Sequence, residues 1–320
     1  MSMARIAAGI VPIGLLVLAP GVACSQDYPT KSIRIVTAEP GGGNDQISRV
    51  IAQGISGALG QPVIVDNRAG NFVMGAILAK AQPDGYTLLV TSNAFWYGPL
   101  LESGSPYDPI KDIAPITWAT SAPILLVVHP SVAANSVKEL IALAKAKPGE
   151  LNYASSTTGT QAHLAGEMFK IMAGVNVVRV TYKGNGPALT AMVAGQMQMM
   201  FPNAAGVTPH IKSGKLKALA VASAQPSTLF PDLPTITSSL PGFEAVSMAG
   251  AFAPARTPAP LINRLNQEIV RFLKTAAAKE RFLSVGTETV ASSPGEFGAA
   301  IKADMARVSK LIKDAGIRAD

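Results

Sequence analysis

The chain has 320 residues, of which 48% are hydrophobic and 15% charged, and its formal net charge is +7. That length allows two domains with a sizeable core, and the composition excludes a disordered chain. The basic residues are scattered, with no run of five or six and no interleaved aromatics, so the charge does not indicate a nucleic-acid partner. We expect a mildly basic globular protein whose charge attracts anionic solutes.

Residues 1–25 have the layout of a secretory signal peptide that is removed from the mature protein. Arg5 supplies the positive start and residues 6–18 form an apolar run that is too short for a confident membrane span. Cys24 is the only cysteine, which excludes an intramolecular disulfide. It leaves two alternatives open, ordinary cleavage nearby or a lipoprotein anchored at Cys24. Either way, the mature protein is expected in the periplasm.

Strands and helices alternate from residue 28 onward, which indicates an α/β fold. The first predicted elements are a strand at 33–37, a helix at 46–59, a strand at 62–66, a helix at 74–81 and a strand at 87–91. Apolar residues at helical spacing support the helix assignments. The alternating order predicts a parallel sheet with helices on both faces.

A second α/β unit is predicted to begin near Ile124. Its predicted strands are 124–128, 151–154, 177–180, 197–201 and 216–222, and its predicted helices are 136–147, 161–172 and 187–194. Ser136 with Glu139 has the spacing of a capping box. The chain then returns to the first unit through an apolar strand at 246–253, a long helix at 258–276 and one or two helices at 294–315.

This order predicts two lobes, the second inserted into the first. Lobe 1 comprises 28–124 and 248–320, and lobe 2 comprises 125–247. Two crossing strands, near 124–129 and 246–253, would form the hinge. Ligands of such sheets bind at the carboxyl ends of strands and between domains.

The loop after the first strand contains Gly41, Gly42 and Gly43, followed by Asp45 at the start of a helix. Glycines allow the backbone to approach a ligand closely, and the N-terminal amides of a helix attract carboxylates. We therefore predict an anion site here. A plain turn is the alternative for the glycines, and N-terminal capping is an equally good role for Asp45.

Polar residues at other strand ends extend the predicted site. Thr91, Ser92 and Asn93 end the third strand, where they could also cap the next helix. The predicted contacts from lobe 2 are Ser155, Ser156, Thr157, Gly159, Thr160, His163, Asn203 and Ala204. Hydroxyl and amide groups of residues 155–160 would face the first loop, although helix capping explains them as well. His163 is a minor candidate, because a lone histidine is more often structural.

Short motifs in order cover nearly all of the mature chain. They include Tyr28-Pro29, Pro40-Gly41-Gly42-Gly43, Asn67-Arg68, Pro83-Asp84-Gly85-Tyr86, Tyr107-Asp108-Pro109, Pro148-Gly149, Tyr182-Lys183-Gly184, Gly214-Lys215-Leu216, Pro231-Asp232-Leu233-Pro234 and Gly295-Glu296-Phe297. In these motifs the chain resembles the periplasmic solute-binding receptors of tripartite tricarboxylate transporters, the Bug family. The resemblance implies an α/β, two-lobed type II periplasmic-binding-protein fold (a Venus flytrap) with parallel-dominated sheets flanked by helices. It also implies a carboxylated ligand held largely by backbone groups, and membrane permease subunits as partners.

The chain departs from the family pattern at several positions. Glu39 stands where the motif usually has proline, and its carboxylate would repel an acid if it pointed inward, which would favour a less charged or partly cationic solute. Residues 71–74 are bulkier than the usual glycine-rich stretch. Asn203 replaces a usual aspartate, and Met248 a usual tryptophan near the hinge.

The main hypothesis is a receptor for a small organic acid (a di- or tricarboxylate, an aromatic acid or an amino-acid-like molecule) that acts as a monomer without a cofactor. An extracytoplasmic sensor that signals to a membrane kinase is the alternative, and a secreted hydrolase is a weaker one. The three histidines do not pair at metal-ligand spacing, and the chain lacks both a Gly-x-Ser-x-Gly elbow and a phosphate-binding loop. An enzyme is therefore not expected.

Overall fold

The structure, a computed structural model, describes residues 28–317 except Ser103 and Thr157. The predictions for the signal peptide, for Cys24 and for Thr157 lie outside the described residues. Across the described part of the chain, no helix has the length and apolar character needed to span a membrane.

The described elements alternate largely as predicted. The first group is β1 (Ile33–Thr37), α1 (Gly43–Leu59), β2 (Val63–Asn67), α2 (Asn71–Lys80), β3 (Thr87–Ser92), α3 (Ala94–Leu101) and β4 (Ile113–Pro123). The second group is β5 (Leu125–Val128), α4 (Val137–Ala146), β6 (Asn152–Ser155), α5 (Gln161–Ala173), β7 (Val178–Thr181), α6 (Asn185–Val193), β8 (Met199–Met200), α7 (Ala204–Lys212) and β9 (Lys217–Val221). The third group is β10 (Val246–Pro254), α8 (Ala259–Leu273), α9 (Ala276–Ser284), β11 (Glu288–Thr289) and α10 (Pro294–Ala315).

Two mixed sheets organise these elements. The six-stranded sheet has the order β11-β4-β10-β3-β1-β2, and the five-stranded sheet has the order β7-β6-β8-β5-β9. Parallel pairing is confined to β3-β1-β2 in the first sheet and β7-β6-β8 in the second, and the remaining ladders are antiparallel. The sheets are thus less dominated by parallel pairs than predicted. The reason is that β10 returns from the second sheet and inserts between β3 and β4, antiparallel to both.

The chain passes between the sheets at two points. Between β4 and β5, the carbonyl of Ile124 accepts a hydrogen bond from the amide of Ala222 (2.8 Å). On the return, the amide of Ala245 donates to the carbonyl of Ala222 (2.8 Å). The first sheet draws its strands from 33–123 and 246–289, and the second from 125–221. Hinge bending at these crossings stays a prediction.

A buried polar cluster joins the two halves behind these crossings. The Asp304 carboxylate on α10 accepts hydrogen bonds from Trp96 Nε1 (2.9 Å) and from the Tyr97 hydroxyl (2.7 Å) on α3. Gln161, the first residue of α5, donates to the same hydroxyl at 3.3 Å. Burial and the nearby Asp304 carboxylate raise the pKa of Tyr97 well above its usual value, so the hydroxyl stays protonated.

Several element boundaries differ from the prediction. Helix α1 begins at Gly43 rather than at residue 46, and the predicted helix 258–276 corresponds to α8, which ends at Leu273. A separate helix that was not predicted, α9, follows Thr275, whose side chain accepts a hydrogen bond from Ala278 N and caps α9. Ser136 caps α4 as predicted, but Glu139 bonds to the amide of Asn135 (2.8 Å) instead of completing the capping box.

Candidate ligand-binding site

We call β4 and β10 the crossing strands, because β4 leads into the first passage between the sheets and β10 follows the second. A cavity of about 740 Å³ lies where α1, α9 and the crossing strands meet the start of α7. Three predicted site residues line it together: Gly43 at the start of α1, Ser92 at the end of β3, and Asn203 before α7. Asn203 lies between β8 of the five-stranded sheet and α7, whereas Gly43 and Ser92 belong to elements of the six-stranded sheet and its helices. Both units, which we call the two halves, therefore contribute to the cavity. This is the candidate site.

The first turn of α1 supplies backbone donors at one end of the cavity. Gly42 is the N-cap residue and makes no side-chain cap, so the amides of the first turn have no acceptor within the helix. Gly41 has φ +81°, a conformation that favours glycine, whereas a Cβ at Gly43 would meet no atom within 4 Å. Only Gly41 therefore needs to be glycine for the backbone, and Gly43 leaves open space beside the helix start.

Asp45 fixes the shape of this loop from behind. Its carboxylate accepts hydrogen bonds from Gly41 N (2.9 Å), Arg49 Nε (3.0 Å) and Asn67 Nδ2 (2.8 Å). Burial acts to raise the pKa of Asp45, but these hydrogen bonds outweigh it and lower the pKa from 3.8 to about 2. Of the two predicted roles for Asp45, the geometry favours the structural one.

The charge around the cavity suits an anion. Arg49 and Arg281 line it, and none of its described lining residues is Asp or Glu. Arg49 is ion-paired with Asp45 (3.0 Å), so the positive charge on the wall comes mainly from Arg281. Arg281 donates to the neutral side chain of Gln53 (2.8 Å). Glu39 does not line the cavity, because its carboxylate accepts a hydrogen bond from the amide of Gly70 (3.3 Å) at the start of α2. The repulsion that an inward Glu39 would cause is therefore absent from this wall.

The three polar residues at the end of β3 separate into different roles. Ser92 lines the cavity, and its hydroxyl accepts a hydrogen bond from Asn44 Nδ2 at 3.4 Å. Thr91 is fully buried on the other face of the strand. Asn93 is also fully buried, and its side-chain amide donates to the Tyr97 hydroxyl (3.0 Å) and to the carbonyl of Val246 (2.9 Å). Asn93 thus ties α3 to β10.

The two predicted residues at the start of α7 also separate. Asn203 is exposed and occupies the N-cap position of α7, yet its side chain makes no capping hydrogen bond. Its amide group is therefore available on the cavity wall. Ala204 is fully buried and packs in an apolar cluster with Leu125 and Val207.

The loop at 155–160 does not line this cavity with any of its described residues. Its hydroxyls bond within the lobe instead, where Arg179 on β7 donates to Ser155 Oγ (2.8 Å), Thr158 Oγ1 (3.1 Å) and the Ser156 carbonyl (3.1 Å). The Ser156 hydroxyl donates to Thr160 Oγ1 (2.9 Å). Ligand contacts from this loop stay a prediction.

His163 serves the same loop. It is 3% exposed, and its Nδ1 accepts a hydrogen bond from the amide of Gly159 (3.1 Å). Gly159 has φ +80°, and a Cβ there would lie 2.2 Å from Leu101 Cδ1 on α3. The loop is thus packed closely against α3, and His163 supports it through this hydrogen bond, while a ligand contact from His163 stays a prediction.

Sequence reasoning missed seven polar residues that line the cavity: Asn44, Gln46, Arg49, Thr120, Ser247, Arg281 and Thr287. Thr120 and Ser247 lie within the crossing strands β4 and β10, while Arg49 lies on α1 and Arg281 on α9. Thr120 and Ser247 could be placed at the cavity only from the pairing of β4 with β10, and β4 was not predicted. No local signal marks the arginines, because they reach the cavity through helix packing.

A larger groove of about 1000 Å³ lies between α7, β9 and the end of α9. Leu229, Phe230 and Leu283 are among its mostly apolar lining residues, and no predicted site residue lines it. It is therefore not the candidate site. Among the described residues, no group of three or more His, Cys, Asp or Glu side chains could hold a metal ion.

Comparison with known proteins gives consistent matches. Residues 47–317 match the family described as the tripartite tricarboxylate transporter family receptor. The chain is 35% identical to Protein BugT of Bordetella pertussis over 327 aligned residues, with 99% of each chain covered.

Two solved structures of similar proteins contain named small molecules. R. palustris Rpa4515 with adipate is 32% identical, with a TM-score of 0.78, covering 92% of this chain and 100% of the other. MatC from Rhodopseudomonas palustris with bound malate is 26% identical, with a TM-score of 0.74, covering 89% and 100%. The predicted family and the two-lobed periplasmic-binding fold are confirmed.

Proposed function

The chain belongs to the tripartite tricarboxylate transporter receptor family, and from this premise we propose that it is a periplasmic receptor that captures a small carboxylated molecule and delivers it to membrane permease subunits. The cavity between the two halves of the chain would hold the molecule. The proposal includes a secretory signal within residues 1–25, a monomeric receptor, and no catalytic activity.

One observation carries the proposal. The cavity combines the open N-terminus of α1 with two arginines and has no carboxylate among its described lining residues. Helix amides and the helix dipole favour a negative charge, and Arg281 adds a positive potential, whereas the charge of Arg49 is largely offset by Asp45. An anionic solute is therefore favoured over a cationic one. Because Glu39 bonds to Gly70, it gives no support for a cationic ligand.

The relatives narrow the class of ligand. Rpa4515 was solved with adipate and MatC with malate, and both molecules are small dicarboxylates. We propose the same chemical class for this chain. The polar neutral groups of Asn44, Ser92 and Asn203 would then hydrogen-bond the ligand beside the helix amides.

Ligand capture would work by shifting a conformational equilibrium. Asn203 lies on the second half of the chain and Gly43 on the first, so a bound molecule contacts both only when the halves are close. Binding then favours the closed population, as it does in hinge-closing receptors. The crossing strands β4 and β10 form part of the cavity wall, so they would transmit this closure.

The cavity offers little for catalysis. Ser92, Thr120 and Ser247 supply hydroxyls, but none of the described lining residues is a histidine, lysine or carboxylate that could activate them. This arrangement supports a binding role.

Thermal unfolding of the mature protein with adipate, malate, citrate, benzoate and glutamate tests the proposal. We expect at least one dicarboxylate to raise the melting temperature, since a ligand at 100 times its Kd stabilises the folded state by about 2.7 kcal/mol. Calorimetric titration would then give the stoichiometry, expected to be one per chain. Absence of binding across all of these acids would contradict the proposed ligand class.

A second experiment separates transport from sensing. The ligand-bound receptor would be used to capture detergent-solubilised permease subunits, with the ligand-free receptor as the control. Stronger capture of the permease by the bound form supports transport. Capture of a membrane kinase instead would favour the sensor.

A further inference from the structure

Thr120 is a buried residue on the wall of the candidate cavity. It lies in β4, is 1% exposed, and its hydroxyl has no hydrogen-bond partner among the described groups of the protein. Buried hydroxyls are almost always hydrogen-bonded, so this exception needs an explanation. Its backbone carbonyl, by contrast, is hydrogen-bonded, since it accepts from Trp118 Nε1 (2.8 Å).

Strand register places Thr120 beside a predicted site residue. Ala249 on β10 pairs with Thr120 on one side and with Ser92 on the other. Residues directly opposite each other on neighbouring strands lie on the same face of a sheet. Ser92, Ala249 and Thr120 therefore form a row across the cavity floor, in which a small methyl group separates two hydroxyls.

Other buried threonines show what is particular about this position. The Thr117 hydroxyl, on the same strand, donates to the carbonyl of Ser292 (2.7 Å). The hydroxyls of Thr91 and Thr257 have no described partner either, but neither residue lines the cavity. Among the described residues, Thr120 alone combines an unpaired buried hydroxyl with a place on the cavity wall.

We propose that Thr120 is a ligand-binding residue whose hydroxyl donates a hydrogen bond to a carboxylate oxygen of the bound solute. This inference rests on the proposed function and adds to it a contact made on the cavity floor by a crossing strand. A hydroxyl without a protein partner can donate to the ligand without first breaking a hydrogen bond. Strand β4 ends at Pro123, only three residues further on, where the chain passes to the other sheet. The contact would therefore also hold the ligand next to this passage.

Three variants test this inference. Thr120→Val keeps the shape of the side chain and removes the hydroxyl, and Thr120→Ser keeps the hydroxyl. Thr91→Val is the matched control, because it removes an unpaired buried hydroxyl away from the cavity. Each is compared with the unmodified protein by calorimetric titration with adipate and malate and by thermal unfolding without ligand.

We expect Thr120→Val to bind the dicarboxylate about tenfold more weakly while its ligand-free melting temperature is unchanged or higher. Thr120→Ser should bind within about threefold of the unmodified protein, and Thr91→Val should bind unchanged. A purely structural role for Thr120 predicts instead a lower melting temperature without a selective loss of affinity.

The outcomes distinguish the two proposals. If the unmodified protein binds no acid, the proposed function fails. If it binds and Thr120→Val binds equally well, only the inference about Thr120 is overturned. Equal loss of affinity in Thr120→Val and Thr91→Val would also overturn it, because the effect would then not depend on the cavity.

Discussion

The loops at 38–45 and 155–160 occupy equivalent places in the two sheets. Each follows a strand that has parallel neighbours, β1 in one case and β6 in the other, and each leads into a long helix. Residues 39–43 are exposed, whereas Ser155, Ser156 and Gly159 are buried. The first loop is held from behind by a carboxylate, Asp45, and the second by a guanidinium, Arg179.

The same type of strand-to-helix connection therefore presents its polar groups differently in the two sheets. Asp45 takes only one amide of the first loop and leaves the start of α1 open toward the cavity. Arg179 instead uses two hydroxyls and a carbonyl of the second loop, so these groups are satisfied within the protein. The first loop therefore leaves backbone amides at the start of α1 available to a solute, whereas the groups of the second loop that bond to Arg179 hold the start of α5 in place.

Removing Asp45 should have the largest effect on this comparison. In Asp45→Ala, Arg49 and Asn67 lose a buried acceptor and the Gly41 amide is released, so we expect a loss of about 3 kcal/mol in the free energy of unfolding. Urea denaturation measures it. Asp66→Ala is the control, because Asp66 pairs with Arg34 and Arg68 nearer the surface and should cost less than about 1 kcal/mol. Equal losses would contradict the role assigned to Asp45.

Removing Arg179 should loosen the second loop. Arg179→Met keeps the apolar stem of the side chain but loses three hydrogen bonds from a charged donor, so we expect a loss of about 2 kcal/mol. Hydrogen exchange of amides in 155–160 should accelerate while those of 41–45 remain unchanged. Arg256→Met, at an exposed position, is the control. Unchanged exchange in 155–160 would show that Arg179 does not hold the loop.

The alternation of strands and helices could be predicted from the sequence, because apolar periodicity and turn residues mark most elements locally. Strand β4 could not be predicted. Its sequence mixes Ala, Thr and Pro, and its pairing with β10 along nine residues depends on a strand more than a hundred residues away. The separate helix α9 could not be predicted either, because a single side-chain cap at Thr275 separates it from α8.

For the site, strand ends were the useful signal. Gly43, Ser92 and Asn203 were predicted because each follows or ends an apolar strand, and the structure brings them together. Thr120 and Arg281 come from the middle of a strand and from a helix, where chain position carries no such signal. Nor could hydroxyls that line the cavity be told apart from those that bond to Arg179.

Acid should affect the first loop before the second. Because the folded-state pKa of Asp45 is lowered to about 2 from 3.8, its contribution is fully present above about pH 4 and is lost as the pH falls through 2. We expect the Asp45 contribution to fall by about 1–2 kcal/mol over that range. Unfolding measured between pH 5 and pH 2 should show this dependence, and Asp45→Asn should reduce it. The same slope in both proteins would contradict the assigned pKa.

Two glycines with similar backbones give a finer comparison. Gly41 and Gly159 have φ values of +81° and +80°, so Ala is strained at both, by about 1–2 kcal/mol. At Gly41 the new Cβ meets nothing within 4 Å, whereas at Gly159 it would lie 2.2 Å from Leu101 Cδ1. We expect Gly159→Ala to be less stable than Gly41→Ala by about 1 kcal/mol, because the tip of Leu101 can move only partly. Measured by denaturation in a Leu101→Ala background, with Leu101→Ala alone as the reference, Gly159→Ala should cost no more than Gly41→Ala does in the unmodified protein.

The smallest effect on stability should come from Gly43→Ala, which is also the most direct test of the open helix start. The new methyl meets no protein atom, so the free energy of unfolding should change by less than about 1 kcal/mol. Gly57→Ala on the same helix is the matched control, since its Cβ also meets open space but Gly57 does not line the cavity. We expect Gly43→Ala to weaken adipate or malate binding about tenfold and Gly57→Ala to leave it unchanged, because only the first methyl crowds an anion at the helix amides. If both variants bind alike, the solute does not contact the start of α1.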